Sequence, residues 1–299
     1  MSDELKGMLL GVIGVAIFSV TLPATRIAVL GGLDAVFVGL GRAVVAALVA
    51  AVILAVTRQP PPPRRHWKRL VAVAFGVVLG FPLFMTIAMQ TVPAAHGGIV
   101  LGVLPLATTA AGAVLCGERP SPGFWAVAFL GGALVVGYAM IDGAGALRAA
   151  DLWLLAAAAS AGVGYAVGGE LSRSLGGWQV ICWALVASLP FIVPPVLWVL
   201  PAVDWGAPPT VWAGFLYVAL FSQLLGFFAW NRGLALGGVA RVGQVQLLQL
   251  FMTLAFSAVL LGETIGPVTV LFALAVVGTV ALGRRMPVTR RALKEDSEI

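Results

Sequence analysis

Residues 113–122 read AVLCGERPSP and residues 258–267 read AVLLGETIGP. The two stretches agree at Ala113/Ala258, Val114/Val259, Leu115/Leu260, Gly117/Gly262, Glu118/Glu263 and Pro122/Pro267. Apolar helix-forming runs precede and follow each copy, so each reads as the turn of a helix hairpin. Gly117 and Gly262 stand where the first helix stops, because glycine enters the left-handed region without a Cβ clash. Pro122 and Pro267 suit the first turn of the next helix, where a missing N–H is no loss, with Ser121 and Gly266 as caps before them. Glu118 and Glu263 then fall beside a helix N-terminus, favoured by its dipole. Self-similarity at half the chain length predicts duplicated halves.

Working outward, the 299 residues are 61% hydrophobic and 10% charged, with a mean hydropathy of +1.04. A soluble domain is nearer to about 25% charged. Apolar runs recur along the whole chain, and most reach the ~20 residues that cross a bilayer. The spacing predicts an all-α polytopic membrane protein with ten transmembrane helices at about 7–29, 34–57, 68–90, 94–116, 121–141, 150–171, 178–200, 209–231, 239–261 and 266–284. The first run has no basic n-region or cleavage site and reads as a retained span rather than a signal peptide. Cys116 and Cys182 have no metal or redox spacing, and His66 and His96 are too few for a metal cluster. No P-loop, dinucleotide fingerprint or zinc-protease motif occurs, so no cofactor and no metal is expected.

The net charge of +6 is membrane topology rather than a nucleic-acid footprint. Lys and Arg gather in RQPPPPRRHWKRL (58–70) and in the tail after residue 283, and these blocks flank apolar spans. The positive-inside rule then places both termini in the cytoplasm. Five spans per half is an odd number, so the second half sits upside down relative to the first. Arg119 in the inner hairpin against Thr264 in the outer one follows the same rule. The domains expected are a first repeat over 1–142, a second, inverted repeat over 143–285 and a cytoplasmic tail over 286–299. Two inverted five-helix repeats are an architecture of alternating-access carriers, with the cargo near the midplane between them.

Repeat, topology and the Gly-Glu-x-x-x-Pro hairpin together resemble the EamA-type transporters of the drug/metabolite transporter superfamily, over about residues 7–284. Within it, the chain resembles the YddG-type exporters of aromatic and other amino acids. The resemblance implies a bacterial inner-membrane carrier whose cavity is walled by helices one, three, four, six, eight and nine, with five and ten peripheral. It implies amino acids as substrate, the lipid bilayer as surroundings and no nucleic-acid partner.

Polar groups deep in a span are costly unless they work or pair. Gln246, Gln249, Thr253 and Ser257 share one face of the ninth span. A carboxamide both donates and accepts, which suits a zwitterion; interhelical hydrogen bonding is the plainer role. Ser19, Thr21 and Thr25 lie around Pro23 in the first span, and Pro82 and Pro105 interrupt the third and fourth. A mid-span proline frees a carbonyl, so the three are candidate hinges or packing kinks. His96 could meet a substrate carboxylate or serve in packing, as no carboxylate partner is evident for it. Phe81, Phe84, Tyr165, Phe227 and Trp230 offer an aromatic wall. Arg42 is read as bonded to backbone carbonyls or snorkelling to the near surface. Acidic residues fall at span ends, which argues against a buried carboxylate relay and against cationic drugs as cargo. No nucleophile is set for an intramembrane hydrolase, so the chain is not expected to be an enzyme.

Overall fold

Hydrophobic length dictates the helices. The computed structural model describes residues 3–115, 118–142, 147–237, 245, 247–286 and 288–290. Among these, eight helical runs are long and apolar enough to cross a bilayer: Leu5–Leu30, Phe37–Val56, Arg64–Met89, Ala94–Leu115, Pro122–Asp142, Ala149–Leu175, Gly177–Ala202 and Pro209–Gly233, here spans one to eight. Two further apolar helices, nine and ten, are shorter over the described residues, Leu248–Leu261 and Pro267–Gly283. Local caps set several of the ends. Asp34 Oδ1 accepts from the backbone N–H groups of Val36 (2.8 Å) and Phe37 (2.9 Å) at the start of span two. Asp151 Oδ2 accepts from the Arg148 N–H at 2.8 Å at the start of span six. Both satisfy donors that a helix N-terminus leaves free. Gly262 ends helix nine at φ 66°, the left-handed conformation expected of it; Gly117 lies outside the described residues.

Among the described residues, spans one, two, three, four and eight depart from plain α-helix. Span one breaks between Ser19 and Thr21, and span four breaks at Gly102 and Val103 between Ala94–Leu101 and Leu104–Leu115. Three spans carry π-helical segments among the described residues, Phe37–Gly41, Ala74–Gly80 and Tyr217–Leu225. Each widens a helix locally and re-aims the side chains around it. Pro23, Pro82 and Pro105 stand in the first turn after the break in span one, the π segment of span three and the break in span four.

Close approach of small residues holds the bundle together. A Cβ on Gly76 would lie 2.6 Å from the Gly164 nitrogen and the Ser160 carbonyl oxygen, so spans three and six meet backbone to backbone. A Cβ on Gly233 would lie 2.9 Å from the Gly7 oxygen, so spans eight and one also meet backbone to backbone. Such contacts drive helix association in lipid, where no hydrophobic effect operates between helices. Buried apolar side chains form two large clusters. One joins spans one, two, three, six, seven and eight around Val15, Ala43, Val77 and Leu185. The other joins the far ends of spans one and three with spans four to six and helices nine and ten around Met85, Ile99 and Leu254.

The structure is not purely helical. Glu118–Pro120, in the first Gly-Glu hairpin, pairs antiparallel with Val288–Arg290, so the start of the expected tail is tied to that hairpin. Glu263, in the second hairpin, reaches the opposite end of span four, where its oxygens accept from the Ala94 and Ala95 N–H groups. The hairpins therefore lie at opposite ends of the bundle. Glu263 caps a helix distant in sequence, not the helix that follows it.

Candidate functional site

Between the two apolar clusters lies a cavity of about 810 Å³ of atom-free space, mouth included. Its lining comes mainly from the irregular stretches. Phe18, Thr21 and Leu22 flank the break in span one, and Leu101, Gly102, Leu104 and Pro105 flank that in span four. Arg42 follows the π segment of span two, Phe81 follows that of span three, and Ser222 and Gln223 lie within that of span eight. Backbone that departs from the α-helix is tolerated at membrane depth where it lines a cavity or is buried in protein. Gly98, Leu250, Thr253 and Val277 bring in span four and helices nine and ten.

The polar part of the lining is largely paired. Thr21 Oγ1 and Ser222 Oγ share a hydrogen bond of 2.8 Å. Gln223 Nε2 donates to the Val77 carbonyl at 2.9 Å, tying one π segment to another. Two groups are left over: Arg42 Nε and Nη1, and Gln249 Oε1, have no hydrogen-bond partner among the described residues. Arg42 is 1% exposed, so it neither snorkels nor places these two nitrogens on backbone carbonyls. Among the described residues no Asp, Glu, Lys or His lines the cavity. The walls are apolar and aromatic, with Phe227 packed edge-on to Phe18 at 5.1 Å and to Tyr165 at 6.0 Å.

Five of the ten side chains expected to bind substrate, Thr21, Phe81, Tyr165, Phe227 and Gln249, come together here, as does the hinge candidate Pro105. Gln246 lies outside the described residues. Ser19 stands behind the wall, donating to Val15 O at 2.7 Å and to Gln249 O at 3.3 Å. Trp230 lines a smaller neighbouring void with Tyr165, Phe227 and Asn231. Phe84 is turned away and stacks on Trp153 at 5.5 Å.

His96 is also away from the cavity, and it does have carboxylate partners. Its Nε2 lies 2.6 Å from Asp151 Oδ1 and its Nδ1 2.9 Å from Asp142 Oδ2, while Arg148 Nη1 holds Asp142 at 3.1 Å. This set joins the ends of spans four, five and six and leaves neither ring nitrogen for a solute. The cavity wall also extends beyond the six helices expected, because Arg42 brings in span two and Val277 brings in helix ten. Ser222 and Gln223 were legible as polar residues at mid-span, a signal as strong as that of Gln249. Phe18 and Leu101 carried no such signal, since an apolar residue in an apolar span looks the same facing lipid or cavity.

Fold and cavity together define a polytopic membrane protein with a chamber among its helices. The chain belongs to the EamA-like transporter family, whose profile matches it twice, at residues 5–140 and 148–283. It is a membrane transporter. An uncharacterized transporter of Bacillus subtilis, YdeK, is 45% identical over 288 residues, which cover 95% of this chain and 99% of YdeK. A probable terminal-alkyne amino-acid exporter of Streptantibioticus cattleyicolor is 30% identical over 207 residues, 67% of either chain. A solved crystal structure shares the fold at a TM-score of 0.59 and 20% identity, covering 92% of this chain and 95% of the other.

Proposed function

We propose that this transporter exports amino acids, aromatic and other neutral ones, across a bacterial inner membrane by alternating access. The carrying observation is the lining of the chamber: apolar and aromatic walls around hydroxyls, carboxamides and one guanidinium, with no carboxylate among its described residues. That chemistry accepts a neutral zwitterion with an apolar side chain and offers no counter-ion to a cationic drug. The relative from Streptantibioticus cattleyicolor, described as a probable amino-acid exporter, supports the same substrate class. In this reading the chain crosses ten times, as repeats over 1–142 and 143–285 inverted about the chamber, with both termini cytoplasmic. The opposite placement of the two hairpins along span four supports that inversion. Thr21, Phe81, Tyr165, Phe227 and Gln249 hold the solute, joined by Gln246, three residues before Gln249 in the sequence. Pro23, Pro82 and Pro105 mark where the spans flex.

Counterflow into proteoliposomes loaded with unlabelled tryptophan, phenylalanine, leucine, threonine or a sugar phosphate tests this. Saturable exchange of labelled neutral amino acids is expected. Exchange of the sugar phosphate alone would replace the reading with export of another metabolite.

A further inference from the structure

Two residues of the chamber lining carry unpartnered groups with opposite needs. Arg42 is a guanidinium whose Nε and Nη1 donate to nothing, in a side chain 1% exposed. A buried charge without a partner is strongly disfavoured, and the described lining supplies no anion to neutralise it. Gln249 Oε1 is an acceptor, shielded from solvent, that receives nothing. Of the other polar groups in the lining, Thr21, Ser222 and Gln223 already bond one another or the backbone, and the Tyr165 and Thr253 hydroxyls are neutral groups that cannot balance the guanidinium. Among the described residues, then, Arg42 wants an anionic acceptor and Gln249 a donor.

We infer that Arg42 anchors the carboxylate of the cargo and that the Gln249 carboxamide receives its ammonium group, so that the chamber selects a free α-amino acid over the corresponding amide, ester or amine. This rests on the export reading above and assigns the two ends of the substrate within it. Guanidinium is the side chain suited to a carboxylate at a dry site, because it stays charged there and its planar donors match carboxylate geometry. An amide oxygen receives an ammonium without adding a fixed negative charge that would bind inorganic cations. The position of Arg42 follows from local structure. The π segment Phe37–Gly41 ends one residue before it and sets the direction of its side chain.

The test measures binding of L-phenylalanine, L-leucine and L-tryptophan, their primary amides and their deaminated acids to the full chain in detergent. Wild type is expected to bind each amino acid about 30-fold or more tightly than its amide, as for a buried charge pair cut at one end. Arg42→Gln should bring that ratio close to one, and Gln249→Leu should reduce only the preference for the amino acid over its deaminated acid. Arg42→Lys, which keeps the charge, should retain a preference for acid over amide. Wild type that binds amide and acid alike overturns the assignment, and that comparison needs no variant to fold. So does an Arg42→Gln protein that is folded by its melting curve and keeps the wild-type ratio. If wild type moves no amino acid but binds the deaminated acids through Arg42, the export reading falls and the anion site stands. If it binds neither, both fall.

Discussion

Arg26 and Glu263 meet at the N-terminus of span four, with Nε 3.4 Å from Oε1. Glu263 also accepts from the Ala94 and Ala95 N–H groups, each at 2.8 Å. Arg26 donates to the carbonyls of Met89, at 3.0 Å, and Val92 near the end of span three. Each ion thus sits at the helix end whose dipole favours it, and together they fasten spans one, three and four to helix nine at one end of the bundle.

Cutting this clasp has a readable consequence. Glu263→Ala strands two helix-terminal donors and a guanidinium, at a cost of about 2 kcal/mol for a charged hydrogen-bonding group. The variant should melt below wild type in detergent. A cysteine introduced at Thr253, in the cavity wall, should then react faster with reagent applied from the Glu263 side. Unchanged melting together with unchanged reactivity would show that the clasp does not hold this end shut.

His96 is expected to matter for stability and not for substrate choice. It bridges Asp142 and Asp151 away from the cavity, and Asp151, like His96, is 1% exposed. Removing His96 leaves the buried Asp151 Oδ1 without that hydrogen-bond partner, at a cost of about 1–3 kcal/mol. His96→Ala should lower the unfolding midpoint sharply while the material that survives keeps the wild-type ranking of amino acids in counterflow. A changed ranking with normal stability would put His96 back in the solute's path.

Glycines divide in the same measurable way. A Cβ at Gly76 must displace the backbone of span six, and overpacking of this kind costs about 1–3 kcal/mol. Gly132 and Gly278 have nothing within 4 Å of an added Cβ. Gly76→Ala should therefore destabilise, whereas Gly132→Ala and Gly278→Ala should be neutral or gain up to about 1 kcal/mol of helix propensity. Thermal melts of the three variants side by side decide it.

What sequence reasoning could see followed from length and periodicity. The hairpins at Gly117 and Gly262 announced the duplication because a turn needs particular residues, and the spans announced themselves by apolar length. The π segments were hidden, because one extra residue in a turn leaves FVGLG or YVALFSQLL as apolar as before. Those segments carry Arg42 and Gln223 into the cavity, so its wall was legible only in part. His96 misled for another reason. Its partners lie 46 and 55 residues further on, at span ends where carboxylates pass for solvated loop residues. Phe84 and Phe81 differ by less than one turn, yet only Phe81 lines the cavity, and no composition rule separates them.

The inverted arrangement makes the sharpest prediction. Glu263 reaches Ala94 at the start of span four, while Glu118–Pro120 follows that span's last residue, Leu115. A helix of this length spans roughly 30 Å at 1.5 Å per residue, so the two Gly-Glu turns should face opposite sides of the bilayer. With Cys116 and Cys182 replaced by Ala, Arg119→Cys and Thr264→Cys give single reporters in the two turns. In right-side-out vesicles an impermeant maleimide should label the position 264 variant and spare the position 119 variant. In inverted vesicles the pattern should reverse. Labelling of both variants from one face would mean that the repeats run in parallel, and a carrier rocking about a central chamber would then need a different account of how that chamber opens to each side.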